Sequence, residues 1–298
     1  MSKAIAKKIE AGIQLSKVDD LYMLFKFRLS LMVVISSVLA YAIAAKGGFS
    51  LTLMSLLALG GFAITAAANG INQVLEKDFD LLMERTKNRP LPAQRMKSSE
   101  AVLISGLLLV VGTIFLALIN PLTAFLGMAS FILYAFVYTP LKRYSTLSVA
   151  VGAIPGALPV LIGVVAQSGT LTVLGIALFL VQFLWQFPHF WAISYLSFDD
   201  YNKAGYKLLP KNSDGSIDKN LGAYSALYSL LILPTIAWAY LEGIETNAIA
   251  LALIVVCTLL YTALGIQMQR KPGRDTALKL MFSSFIYLPI VLILYLIG

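Results

Sequence analysis

Residues 50–95, SLTLMSLLALGGFAITAAANGINQVLEKDFDLLMERTKNRPLPAQR, decide how the chain must be read. Their first half is an apolar run long enough to cross a bilayer, about 20 residues, and it passes directly into a dense cluster of charge. Burial of apolar surface does not explain such a cluster. At helical spacing Asn72, Glu76 and Asp80 recur every fourth residue, which stacks an amide and two carboxylates along one stripe. Stacked carboxylates repel unless a cation lies between them, and oxygen-only donors suit Mg2+ rather than zinc or copper. Asp78 points away from the stripe and competes as an ordinary solvated carboxylate. Arg85, Lys87 and Arg89 follow, donors suited to phosphate oxygens, with Pro90 and Pro92 expected to end the helix. Acidic metal ligands followed by phosphate-pairing cations at a membrane surface describe a site for a magnesium diphosphate.

The rest of the chain agrees with that surface being a membrane. Of 298 residues 59% are hydrophobic and only 13% charged, and the mean hydropathy is +0.82. A soluble fold would have too little polar surface. Nine spans are expected, at 29–45, 50–75, 101–119, 121–141, 147–167, 170–193, 221–241, 247–268 and 276–297, so the class is an all-α polytopic bundle. Joins at Asn120-Pro121 and Ser168-Gly169 are short enough to force antiparallel hairpins. The net charge of +8 suggests nucleic acid until the cations are located. With the N-terminus cytoplasmic, all of the 23 Lys and Arg except Lys46 fall on the cytoplasmic side. That asymmetry is the positive-inside pattern, and no nucleic-acid partner is implied.

Residues 2–24 carry Ile5, Ile9 and Ile13 at helical spacing, which predicts an amphipathic helix on the inner surface. Lys26 and Arg28 stand at the mouth of the first span, either as snorkelling anchors or as contacts to an anionic substrate. Tyr138, Lys142 and Arg143 leave the fourth span on the same face, where Pro140 breaks the helix; the basic pair is either an anchor or a phosphate ligand. Pro155, Gly156, Pro159 and Gly163 interrupt the fifth span, as membranes tolerate where backbone faces a protein cavity. The sixth span carries Gln182, Trp185, Gln186 and His189, then delivers Asp199, Asp200 and Lys203 to the charged face, a weak echo of the first cluster. His189, the sole histidine, is either a hydrogen-bonded packing residue or a contact to a metal in a bound ligand. Cys257 reads as a small buried hydrophobe. The last three spans read as scaffold, with Tyr287 a wall residue.

Taken together these residues resemble a known family. N-Q-x-x-E-x-x-x-D followed by M-x-R-T-x-x-R-P-L, at Asn72 through Leu91, resembles the first aspartate-rich motif of the intramembrane UbiA-type prenyltransferases. K-F-R at 26–28, Y-T-P-L-K-R at 138–143, G-A-I-P-G-A-L-P at 152–159, W-Q-F-P-H-F at 185–190 and D-Y-N-K-A-G-Y-K-L-L-P at 200–210 are similar to its haem O synthase branch, the protohaem IX farnesyltransferases. The resemblance implies nine helices around a central cavity opening toward the cytoplasm and the lipid of the cell membrane. It also implies a single transmembrane domain at 25–298 behind an interfacial segment at 1–24.

By that resemblance farnesyl diphosphate and haem B are the substrates and haem O the product, with Mg2+ as cofactor and a haem A synthase or oxidase assembly as a partner. The site it implies has Asn72, Glu76, Asp80 and Asp199 or Asp200 on the metal. Lys26, Arg28, Arg85, Arg89, Lys142, Arg143 and Lys203 surround the diphosphate, and Tyr138, Trp185, Gln186 and His189 the acceptor. The sequence departs from the family pattern where Glu76 replaces an aspartate, where adjacent Asp199-Asp200 replaces D-x-x-x-D, and at Tyr206-Lys207. Two rivals are a prenyltransferase acting on a quinone precursor or another aromatic acceptor, and a cation transporter. The transporter lacks an ionisable relay through the mid-plane.

Overall fold

The structure, a computed structural model, describes residues 3–46, 48 and 50–298. Among these residues nine helices are long and apolar enough to cross a membrane: Phe27–Ala45, Leu51–Asp80, Ser98–Ala117, Pro121–Leu141, Ser148–Ser168, Val173–Leu196, Leu221–Leu241, Ala248–Arg270 and Arg274–Ile297. The chain is a multi-pass membrane protein of the all-helical class. Exposed Leu, Ile, Val and Phe side chains cover the outside of the bundle, as a lipid solvent requires.

Each span packs on its sequence neighbours, and the first also packs on the fifth and the ninth, which closes the bundle. The fifth span is buried along most of its length and forms the central post. Small residues let it approach its neighbours: a Cβ at Gly163 would collide with the Ser37 carbonyl on the first span, so only glycine fits there. The expected short joins are present. Asn120 caps the fourth span by accepting from Thr123 N–H at 2.8 Å, and Gly169 ends the fifth in a left-handed conformation (φ 73°).

Two expectations are corrected. The second span does not stop near residue 75 but continues to Asp80, and it ends there rather than at Pro90. Its extra turns are stable because their polar side chains find protein partners, and Thr86 Oγ1 caps the Asp80 carbonyl at 2.8 Å. The seventh span keeps its expected bounds, 221–241, with a break in the helix at Leu231. Pro234 lacks the N–H that would continue the ladder across that point. The amphipathic stretch is two helices, Lys3–Glu10 and Lys17–Leu24, separated by a turn at Gly12 (φ 64°); Ser2 lies outside the described residues. A capping box between Ser16 and Asp19 starts the second of them.

Candidate active site

The lower part of the second span turns one polar face inward. Asn69, Asn72, Gln73, Glu76 and Asp80 are buried, while Asp78, off that face, is exposed. Gln73 Nε2 donates to the carbonyls of Met23 (2.9 Å) and Leu24 (2.7 Å), satisfying the end of the surface helix. Asn72 is the hub. Its Nδ2 donates to Glu76 Oε2 at 2.8 Å and to Thr139 Oγ1 at 3.0 Å, and its Oδ1 accepts from Lys26 Nζ at 2.8 Å.

Each carboxylate of the stripe has its own cation. Glu76 is paired with Lys142, and Asp80 Oδ2 accepts from Arg89 Nη1 at 2.7 Å. Asp80 is 1% exposed, Glu76 6% and Lys142 7%, so these pairs are not screened by solvent and removing one partner strands the other. The Lys142 ammonium also lies 4.9 Å from the Tyr138 ring and 5.2 Å from that of Tyr206, within cation–π range. Burial, with the carboxylates of Glu76 and Asp80 nearby, raises the Tyr206 phenol, which therefore stays a proton donor beside Glu76.

Lys26 arrives by a strained route. Its φ of 46° is left-handed, which costs a non-glycine residue of order 1–3 kcal/mol and persists only where the surroundings impose it. Removal from water, and then Arg89 and Lys142, push its ammonium down to about 7 against the opposing pull of Glu76 and Asp80. An anion entering here would restore its charge. Across from it the fourth span widens into a π-helical turn at Leu133–Tyr138, where Thr139 Oγ1 donates to the Tyr134 carbonyl at 2.8 Å. Such bulges re-aim side chains; here Tyr134 and Tyr138 face the space between the charged cluster and the bundle interior.

That interior holds a cavity of about 510 Å³, within the roughly 300–1,000 Å³ of small-molecule pockets. Asn69, Tyr134 and Tyr138 form its floor on the charged side, and Trp185, Gln186 and His189 its wall. It reaches the lipid-facing surface between the first and ninth spans, since its lining residues Leu29, Met32 and Phe285 are half exposed. The wall is fixed by main-chain contacts. Gln182 Nε2 donates to the Gly156 carbonyl (2.7 Å), Gln186 Nε2 to that of Ala153 (3.0 Å), and Trp185 Nε1 to that of Ser284 (3.0 Å). A Cβ at Gly156 would overlap the Gln186 amide.

The residues singled out from sequence divide into two groups. Asn72, Glu76, Asp80, Lys26, Arg89, Lys142 and Tyr138 converge on one point. Arg85, Asp199, Asp200 and Lys203 stand on the rim: Arg85 Nη2 donates to Tyr201 Oη at 2.9 Å and feels Asp80 on one side and Asp200 on the other. Asp199 and Lys203 are exposed. Arg28 turns outward to Tyr22 Oη (3.1 Å) at the cavity mouth, and Arg143 stacks on Phe79 with its guanidinium 4.4 Å from the ring. Among the described residues no group of three or more Asp, Glu, His and Cys side chains is gathered closely enough to hold a metal ion by itself. Asp199 and Asp200 ride on a separate helix, Phe198–Lys203, after the sixth span breaks at Ser197. The amide and two carboxylates of Asn72, Glu76 and Asp80 fit Mg2+, which takes one or two carboxylates together with substrate phosphates and water.

Sequence reading missed Asn69, Tyr134, Thr139, Tyr206 and the Arg95–Asp20 pair (2.9 Å) that pins the charged loop to the surface helix. Asn69 was the findable one, three residues before Asn72 on the same helical face.

The UbiA prenyltransferase family model matches residues 33–286. The chain belongs to the UbiA prenyltransferase family. Among curated relatives, the protoheme IX farnesyltransferase of Cytophaga hutchinsonii is 40% identical over 94% of this chain and 97% of its own, and that of Christiangramia forsetii 38% identical over 94% and 93%. A solved digeranylgeranylglyceryl phosphate synthase superposes with a TM-score of 0.79 at 21% identity, covering 95% of this chain and 99% of its own. A UbiA homologue from Archaeoglobus fulgidus bound to GPP and Mg2+ gives 0.67 at 16% identity over 93% and 99%. At those identities the two structures speak for the UbiA fold.

Proposed function

We propose that the chain is a protohaem IX farnesyltransferase, which transfers farnesyl from farnesyl diphosphate to a vinyl group of haem B and so makes haem O. The acceptor follows the names of relatives aligned along nearly the whole chain. The observation that carries the chemistry is the junction of the two halves of the site, a buried Asn72–Glu76–Asp80 stripe opening onto an apolar cavity walled by Trp185 and His189. The cation-rich distribution argues that this end of the bundle faces the cytoplasm across the cell membrane, and residues 25–298 act as one transmembrane domain.

Asn72, Glu76 and Asp80 would hold Mg2+, and the bound ion would supply Lewis-acid neutralisation of the diphosphate. Lys26, Arg89 and Lys142 stand where their ammonium and guanidinium groups can pair with phosphate oxygens, and Arg85 with Asp200 forms the rim of that pocket. Charge-assisted donors of this kind stabilise the leaving group most as negative charge builds on it. The C1–O bond then breaks with its electron pair on the diphosphate, and the allylic cation sits beside the faces of Tyr134 and Tyr138. The vinyl π electrons form the new C–C bond, and water adds to the resulting porphyrin-stabilised cation with loss of one proton. The apolar cavity keeps other water away from the first cation.

Purified protein incubated with farnesyl diphosphate, Mg2+ and haem B should yield haem O by mass spectrometry. Prenylation of a quinone precursor with haem untouched would replace this reading by that of another prenyltransferase.

A further inference from the structure

His189 is held on three sides. Its ring stacks on Trp185, with centroids 4.8 Å apart and planes at 15°, and meets Phe285 in a T-shaped contact at 5.1 Å. Its Nδ1 lies 2.7 Å from Ser284 Oγ. Ser284 is fully buried, and its hydroxyl gives its one proton to the Met281 carbonyl at 2.5 Å. A hydroxyl whose proton is committed can only accept. With the Ser284 proton directed to the Met281 carbonyl, Nδ1–H is the donor of this contact, the tautomer that leaves a lone pair on Nε2. The Ser284 carbonyl also accepts from the Trp185 indole, so one residue of the ninth span fixes both rings of the stack.

Among the described residues Nε2 has no hydrogen-bond partner, and it is not one of the fully buried side-chain atoms left without one. It thus keeps accessible surface, and His189, Trp185 and Phe285 all line the cavity. A packing histidine in an apolar wall would bury its second nitrogen or satisfy it. A neutral imidazole oriented through Nδ1–H, with Nε2 open, is instead the form in which histidine binds metals.

We propose that Ser284 is a positioning residue that fixes His189 as the Nδ1–H tautomer, so that Nε2 serves as an axial ligand to the iron of a metalloporphyrin acceptor. This rests on the reading that the acceptor is a haem. Loss of such an outer hydrogen bond typically costs about 10–100-fold in metal affinity.

The test compares haem B with iron-free protoporphyrin IX on the full-length protein in detergent. For Ser284→Ala, haem affinity should fall about tenfold or more and the Soret and visible bands should lose the histidine-ligated signature. Protoporphyrin IX affinity should stay within about twofold, because the ring contacts remain. His189→Ala should give the same spectrum as Ser284→Ala, and Ser284→Thr, which keeps the hydroxyl, should restore the wild-type one. Equal losses for both porphyrins, or an unchanged haem spectrum in Ser284→Ala, would overturn the proposal. Should Ser284→Ala fail to insert, Ser284→Cys and His189→Ala carry the same comparison. A wild-type protein that binds no haem and makes no haem O would instead defeat the underlying function, so the two failures are told apart.

Discussion

Two acidic helix ends lie on the same side of the bundle, and they differ in a way their sequences do not announce. Glu76 and Asp80 belong to an unbroken 30-residue helix, are buried, and each meets a cation. Asp199 and Asp200 belong to a six-residue helix none of whose residues is buried. The lesson is that helix continuity decides environment. A carboxylate carried on a helix rooted in the bundle is held inside it, whereas one carried past a break at Ser197 swings to the rim. The first end holds its charge inside the bundle, and the second holds it at the rim, where Asp200 acts on Arg85.

The difference is sharpest in stability. Glu76→Gln strands the Lys142 ammonium, which has almost no solvent access, and breaking such a buried pair costs about 3–5 kcal/mol. Thermal unfolding in detergent should show that loss together with abolished farnesyl transfer. A variant as stable as wild type would mean that the pair is solvated and the buried-end argument is wrong. Asp80→Asn keeps the shape but removes the charge opposite Arg89, and should lower kcat/KM for farnesyl diphosphate about 10²–10³-fold, the scale of a lost electrostatic contact in a dry site. Retained transfer would remove Asp80 from the site. At the other end Asp200→Asn, within reach of Arg85, should cost about tenfold, and the exposed Asp199→Asn should stay within about twofold and about 0.5 kcal/mol. If Asp199→Asn proves as damaging as Asp80→Asn, the rim acids bind metal after all and the comparison fails.

How much of this could be read from the chain follows from the same physics. Nine spans, their hairpins and the Asn72–Glu76–Asp80 stripe were legible because apolar length and the four-residue interval are properties of one segment. The ends of segments were not. The second span runs to Asp80 because Gln73, Asn72 and Asp80 are satisfied by Met23, Lys26, Thr139 and Arg89, which come from elsewhere in the chain. The role of Ser284 was invisible for a like reason: only the packing of the ninth span against the sixth brings its hydroxyl to His189. Lys142 and Arg143, adjacent and chemically alike, could not be ranked from sequence. The fold buries the first against Glu76 and lays the second across Phe79.

The smallest expected effect concerns an acid whose charge is held at the surface instead of within the bundle. The Lys8 ammonium, with the Ser16 backbone N–H and hydroxyl, holds the Asp19 carboxyl down at about 2 against an ordinary 3.8. Because the folded value is the lower one, the stabilisation is complete above about pH 4 and disappears as the pH falls through about 2. What is lost is local: the capping box that starts Lys17–Leu24 and the tether of Lys3–Glu10 to it. Hydrogen exchange of residues 3–24, corrected for intrinsic rate, should therefore lose protection across that window while the spans keep theirs. Asp19→Asn should already show the unprotected pattern at pH 7. Protection that stays flat from pH 5 to 2, or that survives in Asp19→Asn, would mean that the surface helices are held by their apolar faces alone and that exposed charge contributes nothing there.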